Sequence, residues 1–437
     1  MTTSPETPES APVDRAAAST PIDPEQHPAL AKPRRSVAPV GVIAALAVGA
    51  LVGGVSGAGV TLWVTSANGT APTITSATPS TITVNDPANA TQITVVAAKA
   101  SPSVVTISVS SDSGAGTGSG VIIDTEGHVL TNTHVVTLEG AASDPTIQVQ
   151  TNDGRLIAAT IVGIDPISDL AVIQLADTSN LQPAEFADSS QLNVGDTAIA
   201  IGAPLGLAGT VTDGIVSALN RSITIASSAL PDTSAEGNQA PDSQSPFDFW
   251  NFDLPGQTPS TPTSSSQTIS LSVIQTDAAI NPGNSGGALL DGEGKVIGIN
   301  VAIASAGSSS GGQSGSIGVG FAIPANLAQR IAAELISTGT ATHGLLGASV
   351  ADVTEDTTQK DSKVVGASIV ELTGGGAAES AGLRVGDVIT GINGLPVTGK
   401  TDLTAQVRAL AAGSKATLTY VRDGKVGTAD VTLGSLS

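Results

Sequence analysis

Apolar and polar positions change rhythm along this chain, and each change predicts a different kind of element. Residues 37–64 form one uncharged run rich in Ala, Val and Gly, long enough to cross a bilayer as a helix. From Ile93 onward the apolar residues come instead as short Val/Ile/Thr stretches separated by Gly, Asp and Asn turns. Among them are Val104-Val105-Thr106-Ile107, Val121-Ile122-Ile123, Ile147-Gln148-Val149-Gln150, Ala171-Val172-Ile173 and Ala198-Ile199-Ala200-Ile201. That spacing predicts an all-β barrel or sandwich. A helical period follows Pro324, where Leu327, Ile331 and Leu335 fall four apart and stop before Gly339; this predicts a helix leading into a second domain.

The polar segments divide the chain. Residues 1–36 are a Pro-rich leader, expected to be disordered, that ends in Lys32-Pro33-Arg34-Arg35 directly before the apolar run. Positive charge on that side keeps the leader in the cytoplasm and directs everything after Trp63 outside, with 37–64 as a single-pass transmembrane helix in the cell membrane. Thr65-Ser66-Ala67 offers a cleavage site for a removed signal peptide, but a leader of this length favours an uncleaved anchor. Residues 65–92, rich in Ser, Thr, Ala and Pro, read as an extended linker. Residues 222–268 form a loop far longer than a hairpin connection. Its Phe247-Asp248-Phe249-Trp250-Asn251-Phe252 holds three of the 5 Phe and one of the 2 Trp, which points either to docking on another element or to a staple onto its own barrel.

Composition narrows the functions. Hydrophobic residues make up 40% of the 437 and aromatics only 2%, so the cores of two or more domains must be built from Val, Ile, Leu and Ala. A net charge of -21 argues against nucleic-acid partners and against sustained binding to anionic lipid. With 0 Cys, disulfides, thiolate metal sites and thiol catalysis are excluded together.

Ser285 is the first candidate for chemistry. It sits in Asn281-Pro282-Gly283-Asn284-Ser285-Gly286-Gly287, where small residues let a carbonyl approach and a Gly-rich turn frees N–H groups for an oxyanion. A serine needs a histidine to take its proton and a carboxylate to orient that histidine. Of the 4 His, His27 lies in the leader and His343 near a domain junction. His134 closes the apolar run Val129-Leu130, a loop position suited to catalysis, whereas His128 follows the turn Glu126-Gly127 and reads as a solvated residue at a strand start. Asp165 precedes Pro166 and reads as a turn former; Asp169 stands at the mouth of the apolar run Leu170-Ala171-Val172-Ile173 and is preferred as the partner of His134. The order His, Asp, Ser is that of the chymotrypsin class. In trypsin the residue six before the nucleophile carries the charge of the specificity pocket; here counting back gives Ala279, which predicts cleavage after small or medium aliphatic residues.

Thr131-Asn132-Thr133-His134-Val135-Val136, Ser168-Asp169-Leu170-Ala171-Val172-Ile173, Thr276-Asp277-Ala278-Ala279-Ile280 running into the Ser285 turn, and Gly320-Phe321-Ala322-Ile323-Pro324 resemble the signature blocks of HtrA/Deg-type serine proteases. Gly116-Thr117-Gly118-Ser119-Gly120 resembles the opening of their protease domain, and Ala288 departs from the proline common there. The resemblance implies a chymotrypsin-like double β-barrel over 93–340, with the triad at the barrel junction, Gly283 and Ser285 as the N–H donors of the oxyanion hole, and Ile303 as a wall of the substrate pocket. No metal or organic cofactor is implied.

Residues 341–437 resemble a protease-associated PDZ domain, a small α+β unit, through Gly344-Leu345-Leu346-Gly347-Ala348, Gly376-Ala377-Ala378-Glu379-Ser380-Ala381-Gly382-Leu383 and Ile392-Asn393-Gly394. PDZ domains add a peptide C-terminus to a sheet edge. By resemblance, Leu345, Leu346, Gly347 and Ala348 hold the terminal carboxylate, and a helix over 402–411 forms the other wall with Leu403 and Val407 facing the groove. The implied function is a membrane-anchored extracytoplasmic endopeptidase that degrades unfolded or misfolded polypeptides under control of bound peptide C-termini, with the long loop as sensor. The rival readings are a non-catalytic peptide-binding scaffold and a holdase. Family members are usually trimers through aromatic contacts near the protease N-terminus; a homo-trimer is thus implied, although 92–117 contains no aromatic residue.

Overall fold

The computed structural model describes residues 82–112, 114–142, 144–203, 209–226, 268–281, 283–303, 318–359 and 362–436. The expected transmembrane run 37–64, His27 and the aromatic stretch 247–252 lie outside them. No helix among the described residues is long and apolar enough to cross a membrane.

Helix α1 (Gln92–Ala100) opens the described fold, although its Val-rich sequence reads as strand. Thr91 caps it by accepting the Thr94 N–H at 3.2 Å, and the burial of Val96, Ala97 and Ala100 against the barrels outweighs the weak helix propensity of valine. The first barrel follows: β1 (Val104–Ser111), β2 (Gly114–Ile122), β3 (His128–Thr131), the five-residue helix α2 (Thr133–Thr137), β4 (Thr146–Gln150), β5 (Leu156–Asp165) and β6 (Leu170–Leu175). Its strands close in the order β1-β2-β3-β6-β5-β4. Ile107, Ile122, Val129, Val149 and Ile173 fill the interior.

The second barrel has β7 (Thr197–Gly202), β8 (Thr210–Ala226), β9 (Thr268–Thr276), β10 (Ala288–Leu290), β11 (Val296–Ile303) and β12 (Gly320–Pro324), closed as β10-β11-β12-β9-β8-β7. The expected loop 222–268 is shorter at both ends. Ser222 to Ala226 continue β8 and pair with Ser272 to Thr268 of β9, because Ile225 and Ile269 bury their side chains there.

Helix α3 (Ala325–Thr338) follows the four-residue period: Ile331, Leu335, Ala328 and Ala332 join the core cluster shared by the barrels. Gly339 at φ 76° ends the helix, its N–H donating to Leu335 O at 2.9 Å. The last unit comprises β13 (His343–Leu345), β14 (Ala348–Asp352), β15 (Ala367–Leu372), α4 (Ala377–Ser380), β16 (Val388–Ile392), β17 (Leu395–Pro396), α5 (Lys400–Arg408), β18 (Lys415–Arg422), β19 (Lys425–Thr432) and β20 (Gly434–Leu436). Its main sheet runs β14-β15-β16-β18-β19, which leaves one side of β14 as an edge. Helix α5 also packs against β8 and β9, the two arms that flank the long loop.

Candidate active site

Asp169, His134 and Ser285 come from three turns that the barrels bring together. His134 follows β3 as the second residue of α2, and Asp169 closes the β5–β6 turn in the left-handed region at φ 51°. That conformation costs a non-glycine residue about 1–2 kcal/mol. Four contacts hold it in place: the Asp169 carbonyl accepts Asn132 Nδ2 at 2.8 Å and the Thr133 N–H at 3.2 Å, while its carboxylate accepts the His134 N–H at 3.0 Å and meets His134 Nδ1 at 2.7 Å. Thr133 Oγ1 ties α2 to the same turn through Leu170 O at 2.7 Å and Asp165 O at 3.2 Å.

His134 is only 8% exposed. Burial pulls its imidazole pKa down, but the Asp169 charge, the Asp169 hydrogen bond and the Glu139 charge outweigh it, so the pKa stands above the ordinary value. Glu139 is itself raised, by burial, with the His134 charge pulling the other way.

Ser285 is 5% exposed. Its hydroxyl donates to Val301 O at 3.4 Å, a long bond. The turn around it is fixed by main chain: Gly286 N–H donates to Asn300 O at 2.8 Å, Asn300 N–H to Gly287 O at 2.9 Å, and Gly287 N–H to Asn284 O at 2.9 Å. Asn300, buried in β11, adds Nδ2 to Ala288 O at 3.1 Å. The N–H groups of Gly283 and Ser285 have no acceptor among the described residues. Two unspent donors around a serine suit a developing oxyanion. Ala279 is half-buried, and its carbonyl accepts Thr212 Oγ1 at 2.8 Å. Ile303 ends β11.

His128 differs from expectation. Its main-chain N–H and its ring both bond the Asp124 carboxylate, at 2.9 and 2.5 Å, so it is partly buried instead of solvated. Asp165, expected as a plain turn former, is buried and meets His343 Nε2 at 2.9 Å.

In the last unit Leu345 is exposed, Leu346 is buried and Gly347 has φ 70°. The carbonyls of Leu346 and Gly347 face inward, accepting the N–H groups of Ala378 and Thr373 at 2.8 and 2.9 Å, while the N–H groups of Leu346 and Gly347 have no acceptor among the described residues. Ala348 begins the edge strand. Leu403 and Val407 do not line an open groove: both are buried in the unit's own core, because the apolar face of α5 packs on its sheet.

Sequence patterns alone assign no role to Asn132, Thr133, Ser119 or Asn300. Ser119 and Asn300 carry a usable signal, since a polar residue within an apolar strand run must find partners when buried.

Residues 118–299 match the trypsin-like peptidase domain family and residues 344–433 the PDZ domain family. The chain is 41% identical over 369 residues to serine protease PepD of Mycobacterium tuberculosis, covering 83% of this chain and 70% of PepD. It is 39% identical over 310 residues to periplasmic serine endoprotease DegP of Escherichia coli, covering 70% of this chain and 54% of DegP, so it spans about half of that relative's length. Among solved structures, HtrA-type protease AlgW with a tripeptide superposes with a TM-score of 0.54 at 32% identity, over 79% of this chain and 97% of AlgW. Two closed barrels that join a buried His–Asp pair to a serine turn, a PDZ domain after them and relatives over most of the chain lead to one conclusion: this protein belongs to the HtrA-type serine proteases and is a serine endopeptidase.

Proposed function

We propose that the protein is a membrane-anchored, extracytoplasmic endopeptidase in which Ser285 is the nucleophile, His134 the general base, Asp169 its orienting carboxylate, and the N–H groups of Gly283 and Ser285 the oxyanion donors. Ser285 Oγ attacks the scissile carbonyl as its proton passes to His134 Nε2. The tetrahedral oxygen takes the two N–H bonds, and His134 returns the proton to the leaving amine. The observation that carries this reading is the closed 2.7 Å His134–Asp169 contact combined with two unspent N–H groups at the serine turn.

The enzyme is under control: in its resting form Ser285 Oγ donates to Val301 O, and on activation it turns to the imidazole. Peptide C-termini supply that control by adding to β14, with their carboxylate on the N–H groups of Leu346 and Gly347 beside Leu345 and Ala348. The packing of α5 on β8 and β9 supports a route from this groove to the serine turn. The aromatic loop is the moving part, and deleting 246–255 uncouples peptide binding from cleavage. Substrates are unfolded or misfolded polypeptides, cut after small aliphatic residues held between Ala279 and Ile303. The working assembly is a homo-trimer held to the membrane by 37–64.

The test is digestion of unfolded casein by the full-length protein and by Ser285→Ala. The variant keeps the wild-type thermal transition and loses at least about a thousandfold in rate; cleavage at the wild-type rate rejects the assignment.

A further inference from the structure

Within Gly116-Thr117-Gly118-Ser119-Gly120 one hydroxyl is wholly buried in β2, with Ser119 0% exposed. A hydroxyl at such a position needs partners, and those of Ser119 lie across the junction in the second barrel. Ser119 Oγ donates to Gly283 O at 2.7 Å and accepts the Ala203 N–H, just past β7, at 2.9 Å. Its own N–H donates to Ser285 O at 2.9 Å, and its carbonyl accepts Thr131 Oγ1 at 2.7 Å.

The carbonyl of Gly283 belongs to the peptide that separates the two unspent N–H groups. The other end of that peptide, Asn284 N–H, donates to Asn281 O at 2.9 Å. Gly283 sits at φ 98° and has no Cβ to resist rotation of its peptide units. The two hydrogen bonds therefore set the orientation of this peptide, and with it the directions of the flanking donors. Only one of the two comes from outside the turn. Without Ser119 Oγ, the partly buried Gly283 O loses its one partner among the described residues, and rotation of the peptide is its route to water.

We infer that Ser119 is a positioning residue for catalysis: its side chain clamps the Gly283–Asn284 peptide so that the N–H groups of Gly283 and Ser285 converge on the oxygen of the tetrahedral intermediate. The inference rests on the proposed oxyanion role of those two groups. It places the registration of the two barrels, through one hydroxyl, in direct control of transition-state binding.

The experiment compares full-length wild type, Ser119→Ala and Ser285→Ala on a quenched-fluorescence peptide taken from a casein cut site, with active sites counted by end-point fluorophosphonate labelling. For Ser119→Ala, kcat per labelled site falls roughly 10- to 100-fold with KM within about twofold. The inhibition constant of a peptide boronic acid, which forms a tetrahedral adduct on the serine, weakens by the same factor as kcat/KM. A role confined to folding lowers the number of labelled sites and leaves both per-site values at wild type, which overturns the inference. If Ser119→Ala yields no labelled sites, Ser119→Cys, a weaker donor of similar volume, is read by the same two values and must lose in both. Wild-type cleavage by Ser285→Ala removes the catalytic reading itself. A dead Ser285→Ala beside an unimpaired Ser119→Ala removes only the inference.

Discussion

His343 Nε2 and Asp165 Oδ1 are 2.9 Å apart, with both side chains no more than 3% exposed. On its other side the ring meets Arg408 O, at the end of α5, at 2.8 Å. A carbonyl only accepts, so Nδ1 is the donor to Arg408 O. This imidazole thus bridges the PDZ domain to the strand whose turn holds Asp169. Asp165 Oδ2 has no partner among the described residues, and Oδ1 has the Ile167 N–H at 3.1 Å and His343, so His343 is the one side chain that compensates this buried carboxylate there. His343→Ala is expected to cost roughly 3–5 kcal/mol. The double variant with Asp165→Ala recovers part of that loss, because no orphan charge remains. Thermal unfolding of the three variants checks it, and strictly additive losses count against the bridge.

The raised pKa of His134 sets opposite pH trends for activity and stability. Catalysis needs the neutral imidazole, so kcat/KM rises with pH through an acid limb lying above about 6.5, the ordinary histidine value. Because the folded pKa is above the unfolded one, the stabilisation it contributes is full below the unfolded pKa and is lost as pH rises through the folded pKa. Asp169→Asn moves the limb to lower pH while cutting the plateau on the order of ten-thousandfold. Profiles of kcat/KM against pH decide; an unmoved limb in Asp169→Asn rules out the carboxylate as the source of the raised pKa.

Gly286 has φ 83°, and a Cβ there would lie 2.1 Å from Ser119 O and 2.3 Å from Thr131 Oγ1. Gly286→Ala is expected to destabilise by about 3 kcal/mol or more and to abolish cleavage. Gly195 has a similar φ of 97° with nothing within 4 Å of a Cβ, so Gly195→Ala should cost only the backbone penalty of about 1 kcal/mol. Equal melting temperatures for the two variants would show that the close approach at Gly286 is relieved elsewhere.

Specificity is expected to follow Ala279. Cut sites mapped in digested casein should fall after Val, Ala, Ile or Leu, and Ala279→Asp should shift them toward Lys and Arg by placing a carboxylate in the pocket. A wild-type map dominated by Lys and Arg contradicts the pocket assignment.

What the sequence disclosed depended on how local each signal was. The Ser285 turn, the few histidines and the strand-mouth aspartate were legible because each is announced by its immediate neighbours. The strand runs and α3 were legible from periodicity. Helix α1 was not, since its β-branched residues favour strand and only docking against the barrels makes it helical. The 17 residues of β8 were masked by a polar stretch that pairs with β9. Ser119 with Gly283 and His343 with Asp165 join residues 164 and 178 positions apart, and only the folded chain brings such partners together. Leu403 and Val407 show the reverse error: a helical face assigned to a ligand belongs to the core.

The scarcity of aromatic side chains in these cores has an optical consequence. Among the described residues the aromatics are Phe186, Phe321 and Tyr420, whereas Trp63 and Trp250 belong to the apolar run 37–64 and the long loop. No indole lies among the described residues of either barrel, so their melting is followed by circular dichroism or calorimetry. In a Trp63→Phe background all indole emission originates from Trp250, so the chain already carries a single fluorophore placed in the long loop.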